Sequence, residues 1–258
     1  MSQLTINIEN NSNIAQEDIG LVLAGLLHDV GKVRYVDSKQ AGGVKHSANG
    51  YDYLEKLLNN GSNDISQDIK NGILEAAKYH HEEELKFATD KKEVSVNSWA
   101  YIVYMADYVA AALERINKNG KYIDYDFECT KPLEPVFNIL NGNNSEKYYN
   151  IATLGEMINY PVDKQGVQPI PQNYYEEVII RRLDKKLHKI ELNDSYVDGL
   201  LAIFEEVLTY VPAFNFDKGD ISLYDHSKMV AGLCGCIKQY VDEKYLPIGF
   251  DAEYKWWQ

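Results

Sequence analysis

Thiols, prolines and positive charge are all scarce in this chain, and each shortage narrows what it can be. Three cysteines among 258 residues (Cys129, Cys234 and Cys236) are too few for a disulfide framework. No fourth thiol exists to complete an all-thiolate zinc site, so all three are expected to be packing residues of a protein from a reducing compartment. No run approaches the roughly 18 uninterrupted apolar residues of a membrane span. The opening "MSQLTINIENNSN" offers neither the basic start nor the apolar centre of a signal peptide. The expectation is a cytoplasmic protein with no membrane contact. Lys and Arg number 26 against 39 Asp and Glu, a formal net charge of −13. Nucleic-acid binders usually carry a basic footprint, because affinity comes largely from neutralising phosphates. If this chain acts on nucleic acid, bound cations or a separate partner must help. Its only basic cluster, "RRLDKKLHKIE" at 181–191, holds His188 but is interleaved with Asp184 and Glu191. It reads as a solvated helix face before it reads as a phosphate guide.

What is present is ordinary in bulk: 45% hydrophobic and 25% charged residues, with enough length for a substantial core. Apolar periodicity predicts helices over 15–30, 47–58, 66–81 and 98–116. The texture then changes. Five of the seven prolines (Pro132, Pro135, Pro161, Pro169, Pro171) fall between about 120 and 172. That window reads as a loop-rich insertion with a few short strands and a hairpin near Lys147–Leu154. Helical periodicity returns over 174–190, 197–211 and 223–243. The fold class is therefore mainly α. One unit spans 1–245, with its helical core at about 15–116 and 174–243, and a tail occupies 246–258. The tail carries Trp256 and Trp257, an apolar pair suited to contact with further chain or a partner.

Histidine is also sparse, at positions 28, 46, 80, 81, 188 and 226. Four of the six lie in the first 81 residues, in suggestive settings. "LAGLLHDVGKVRY" runs an apolar helix straight into His28 and Asp29, with Lys32 one turn on. His46 opens the next helix. His80 and His81 continue the apolar stripe of Ile69, Ile73, Leu74 and Ala77, so they extend an inner face. Asp107 is the sole charged residue of "WAYIVYMADYVAAAL", 99–113, a helix apolar nearly all round. A buried carboxylate is tolerated when it is paired or bound to a metal. Its partner is either a cation held with the histidines or an ion pair with Arg115 or Lys32. His28, Asp29, His80 and Asp107 are imidazole and carboxylate donors, which suit Mn²⁺, Fe²⁺, Co²⁺, Ni²⁺ or Zn²⁺ over thiolate-selected metals. Such a centre makes hydroxide near neutral pH, and a second ion can steady the leaving oxygen of a phosphodiester. Lys32 could touch a phosphate oxygen.

"LLHDVGK", "HSANGYDYL", "YHH" and "ADYVAAALER", in this order, resemble the HD-domain superfamily of metal-dependent phosphohydrolases. More narrowly they are similar to the N-terminal HD domain of the large subunit of type III CRISPR effector complexes, and "DISLYDHSK" at 220–228 resembles the segment that precedes the polymerase-like part of that subunit. The resemblance implies an HD-type helical domain, circularly permuted, so that His226 of "YDHSKMVAGL" supplies the histidine that most HD domains carry before the HD pair. The competing reading is that Asp225 and His226 only cap a helix. The resemblance also implies one or two divalent ions held by His28, Asp29, His80, Asp107 and His226. His46 and His81 would be second-site ligands or acid–base groups, and Lys32 a phosphate contact. The implied substrate is single-stranded DNA, and the implied partners are other CRISPR effector subunits and guide RNA. No paired-aspartate turn of a palm domain is recognisable, so cyclic oligoadenylate synthesis is not expected of this chain. Two other readings stand beside this one: a nucleotide phosphohydrolase of the wider superfamily, and a degenerate HD scaffold without metal.

Overall fold

The computed structural model describes residues 8–34, 45–95, 97–111, 131–140, 142, 146–155, 159–171, 173–214 and 219–244. Its helices are α1 (Ile8–Leu27), α2 (His46–Leu58), α3 (Gln67–Tyr79), α4 (Glu82–Lys91), α5 (Trp99–Ala111), a single turn α6 (Phe137–Leu140), α7 (Arg181–Leu187), α8 (Asp194–Leu208) and α9 (Leu223–Lys244). A 3-10 turn, Val30–Arg34, follows α1, and a π-helical stretch, Tyr175–Ile180, runs directly into α7. The starts of three helices obey local chemistry. Ser66 Oγ accepts from the Ile69 amide at the head of α3, and Asn193 Oδ1 accepts from the Tyr196 amide, 2.8 Å, at the head of α8. Ser222 Oγ accepts from the Asp225 amide, 3.0 Å, ahead of α9.

The predicted helices are present with shifted ends. The first begins earlier, at Ile8, and stops at Leu27, so His28 and Asp29 sit in the link to the 3-10 turn. The third stops at Tyr79, and a helix not anticipated, α4, begins at Glu82. Its signal is legible: Glu82, Glu83 and Glu84 fill the first turn and Lys91 the last, the charge order that the helix dipole favours. Between 131 and 171 strand pairing among the described residues is limited to isolated bridges. The expected hairpin does not form: Tyr149 pairs with Leu133 and Tyr148 with Val162, so this stretch pairs outward rather than with itself. The tail 246–258 and Cys129 lie outside the described residues. Cys234 is buried in packing, but Cys236 is exposed and is not the packing residue expected.

α1 is the central element. It packs against α9 on one side and α3 on another; α5 packs on α3 and α9, α2 on α3 and the 3-10 turn, and α8 closes the far side against α1 and α9. Leu23, Leu27, Leu54, Ile73, Ile102, Phe204 and Val230 form the centre of the core, each almost wholly buried. A second cluster, Tyr79, Leu85, Ala88, Val94, Ala100, Tyr101 and Tyr104, joins α4 to α5. α5 is less enclosed than its composition implied, since Tyr108 and Val109 remain exposed.

Two contacts demand glycine. A Cβ on Gly31 would stand 1.9 Å from the His46 carbonyl oxygen and 2.5 Å from the Gly50 amide nitrogen, so the 3-10 turn can approach α2 only without a side chain. One on Gly25 would meet the Ala231 Cα at 2.9 Å, which fixes how closely α1 and α9 cross. Because backbone cannot yield as a side-chain tip can, Gly31→Ala should lose at least about 2–3 kcal/mol of unfolding free energy. Gly61→Ala, where a Cβ would meet nothing within 4 Å, should stay within about 0.5 kcal/mol of the parent. Urea denaturation of the two variants checks this.

Candidate metal centre

Six elements deliver one cluster. The link after α1 supplies His28 and Asp29, the 3-10 turn Lys32, the first turn of α2 His46, the α3–α4 junction His80 and His81, α5 Asp107, and α9 His226. Each residue expected to hold metal or act on substrate arrives here. His28, Asp29, His80, Asp107 and His226 are at most 2% exposed. His188 does not arrive: its ring donates to the Lys185 carbonyl on the exposed face of α7. That basic face is drawn into its own surroundings, with Arg182 on Glu206 and Lys189 on Glu191. His226 is not a cap. Ser222 performs the capping, and His226 Nε2 stands 3.1 Å from Asp107 Oδ1 and 3.5 Å from Asp29 Oδ2.

Asp29 lies at the middle. Its Oδ2 faces His28 Nε2 at 3.3 Å, His226 Nε2 at 3.5 Å and Lys32 Nζ at 2.6 Å. Its Oδ1 faces the other way, toward His46 Nε2 at 3.3 Å and His80 Nε2 at 3.5 Å. His46 Nε2 and His81 Nε2 are 2.9 Å apart. Two groups of donor atoms result, each drawn together within 4.8 Å: His28, Asp107 and His226 on one side, and His46, His80 and His81 on the other. Asp29 stands between them with one oxygen toward each.

The hydrogen bonds fix which nitrogen points inward. His28 Nδ1 lies 2.7 Å from the Gly25 carbonyl, and His80 Nδ1 lies 3.0 Å from the Ala77 carbonyl. A carbonyl only accepts, so Nδ1 carries the proton and Nε2 of the neutral ring presents a lone pair. Those lone pairs face carboxylate oxygens, an arrangement that repels unless positive charge stands between them. His28 Nε2, Asp29 Oδ1, His80 Nε2 and His226 Nε2 are buried and make no hydrogen bond. Buried polar atoms are normally satisfied, and a divalent cation is what satisfies this set. The donor set therefore fits a divalent metal.

The titration behaviour agrees. Burial lowers His28 and His46 below the ordinary imidazole value. Burial, with His80 and His46 beside it, holds His81 well below it. Burial alone would raise the Asp29 carboxyl, but Lys32, His28 and His226 outweigh it and hold the group well below the carboxylate range. For His226 the balance is opposite: burial lowers it, but the facing Asp107 and Asp29 carboxylates outweigh that and raise it. Neutral imidazoles and an ionised carboxylate are the metal-binding forms, and a cation here would displace the proton from His226.

Lys32 is placed differently from its expected phosphate contact. It is 5% exposed, and its ammonium donates to Asp29 Oδ2 at 2.6 Å and to the Ala213 carbonyl at 3.0 Å, beneath the Phe214 ring. Asp107 has the histidines of the centre as neighbours, while Lys32 is committed to Asp29.

Residues 5–112 match the family model of the HD domain. This N-terminal part is similar to HD domains. Comparison with curated proteins extends the likeness over most of the chain. It is 27% identical over 232 residues to the CRISPR system single-strand-specific deoxyribonuclease Cas10/Csm1 (subtype III-A) of Enterococcus italicus, covering 86% of this chain and 29% of that protein. The Streptococcus thermophilus protein of the same name is 27% identical over 236 residues, covering 89% of this chain and 29% of its own. Among solved structures, Csm1 of T. onnurineus superposes with a TM-score of 0.61 at 25% identity, over 87% of this chain and 29% of that one. The Csm1–Csm4 subcomplex of the type III-A CRISPR-Csm interference complex gives 0.59 at 25%, over 86% and 28%. The chain thus spans under a third of the length of the relatives it matches. The HD-domain match ends at residue 112, so His226 lies beyond it and reaches the centre only because α9 packs on α1 and α5.

Lys32→Met should show how strongly the centre needs positive charge. In the presence of chelator, removing one partner of this buried pair should destabilise the fold by about 3–5 kcal/mol. Added Mn²⁺ should recover part of that loss, because a cation at Asp29 replaces the missing charge. Denaturation of parent and variant with and without Mn²⁺ reads both effects; a loss under about 1 kcal/mol would contradict this role for Asp29.

Proposed function

We propose that this chain is a metal-dependent nuclease that hydrolyses phosphodiester bonds of single-stranded DNA, working in the cytoplasm within a type III, RNA-guided antiviral effector complex. The observation that carries the reading is Asp29, with one carboxylate oxygen turned to each of two histidine-containing donor groups. The names of the relatives supply the substrate, and the solved Csm1–Csm4 subcomplex supplies the kind of partner. Guide RNA would be met through that complex.

In this reading His28, Asp107 and His226 would hold one ion and His80 with His46 and His81 a second, with Asp29 offering an oxygen to each group. Mn²⁺, Fe²⁺, Co²⁺, Ni²⁺ and Zn²⁺ all suit such donors. Bound there, divalent ions would lower the pKa of a water molecule and neutralise charge building on the phosphate. The protein contributes the rest. The carbonyls of Gly25 and Ala77 set the tautomers of His28 and His80, so that Nε2 faces the centre. Lys32 positions Asp29 by holding Oδ2. His46 and His81, whose Nε2 atoms are 2.9 Å apart, form the partly exposed side of an otherwise sealed cluster. That side is where a strand can approach. An unpaired strand suits a recessed centre, because its phosphates can bend inward where a duplex is too stiff. The acidic chain lacks the basic footprint for tight DNA binding by itself, which agrees with reliance on partner subunits. The full donor complement speaks against a degenerate scaffold.

The test is cleavage of end-labelled single-stranded DNA after EDTA treatment and re-addition of each metal, with duplex DNA, RNA and mononucleotides alongside. His28→Ala with Asp29→Ala is a poor variant, because it strands the Lys32 ammonium in the core. His80→Ala with His226→Ala is better; it should keep the circular dichroism spectrum and lose more than about a hundredfold in rate. Retained activity in that folded variant would overturn the assignment. Turnover of mononucleotides instead would favour a nucleotide phosphohydrolase, and inactivity without metal retention a scaffold.

A further inference from the structure

A groove of about 590 Å³ opens between α1, α8 and α9, on the other side of the molecule's length from the metal centre. His226 is near the start of α9, whereas the groove uses Gly235 to Glu243, roughly 20 Å further along the helix. The floor is aliphatic: Ile19, Leu21 and Val22 from α1, and Val197 from α8. The rim is acidic. Asp18, Asp194, Asp198, Asp242 and Glu243 surround it, and the rim cation, Lys238, is paired with Asp242. On α9 the wall is lowered by Gly235, where an added Cβ would meet nothing within 4 Å.

We propose that this groove docks an amphipathic helix of a partner protein, one whose apolar stripe is flanked by lysine or arginine. Charge complementarity selects that occupant. An aliphatic floor takes the apolar stripe of a helix, with side chains spaced to reach between α1 and α8. The ring of carboxylates favours cations beside that stripe and repels a nucleic-acid strand or an anionic membrane surface. A second copy of this chain is a poor candidate, since in its one basic cluster, on and just after α7, Arg182, Lys189 and Lys186 are already engaged with Glu206, Glu191 and the Tyr196 ring. The rim charges supply orientation and encounter rate, and the aliphatic floor supplies the contact that resists salt. Nothing here rests on the nuclease reading.

The experiment is fluorescence anisotropy of a labelled 14-residue Leu/Lys amphipathic helix with the full chain, at low and moderate salt. Saturable binding at one site is expected, weakened tenfold or more by Asp198→Lys with Glu243→Lys. Gly235→Leu should also weaken it at least tenfold while leaving the melting temperature unlowered, because it fills the groove without a clash. Asp64→Lys with Asp90→Lys makes the same charge change at positions outside the groove and should leave affinity within twofold. Equal losses from the two charge reversals would mean diffuse attraction and overturn the proposal. Equal binding of a Leu/Glu helix would overturn it too, as would sedimentation showing a dimer of this chain that Gly235→Leu dissociates.

Discussion

One buried carboxylate organises this molecule. Asp29 is 2% exposed yet ionised, and an ion so far from water must be answered by charge and hydrogen bonds placed around it. Lys32 answers from the 3-10 turn, and imidazoles from the link after α1, from α2, the α3–α4 junction and α9 turn Nε2 toward it as donors for a cation. The packing follows from that demand. α2 must come close enough for His46 to reach Oδ1, and Gly31 against the α2 backbone makes that approach possible. α9 must cross α1 tightly to set His226 beside Oδ2, and Gly25 against Ala231 permits it. The glycines and the metal donors are thus two halves of one arrangement.

Much of the centre is legible in the amino-acid sequence alone. Histidines on the inner face of apolar helices, and one charge in an otherwise apolar α5, are contradictions that burial makes expensive, so they advertise a ligand. His226 is the instructive case. Its local sequence could equally be a helix cap, and only the packing of α9 on α1 decides it. The role of Lys32 is less accessible, because one turn from His28 is compatible both with a phosphate outside and with a carboxylate inside. Which one is met depends on Ala213 and Phe214, some 180 positions away.

The parts of the fold that local sequence does not convey share a cause. Turn signals mark the window 131–171 as loop-rich, but its pairings link Tyr148 and Tyr149 to residues on either side, a long-range choice that such signals do not encode. α4 follows the paired histidines so closely that one apolar stripe runs up to its first turn, and only the charge order after them separates the two helices. Cys236 shares its local sequence with Cys234, two positions before it, yet differs in fate. On a helix two residues are about 200° apart, so burying one exposes the other.

The distance along the chain between His28 and His226 also sets a timetable. A ribosome adding about 5–20 residues per second emits the HD pair roughly 10–40 s before α9. Once Asp107 has emerged, the nascent chain holds all the other donors but lacks the imidazole beside that carboxylate and the helix that packs on α1. The centre therefore becomes complete only as synthesis nears the end of this region, so the hydrolytic chemistry proposed for it is withheld from the half-made protein.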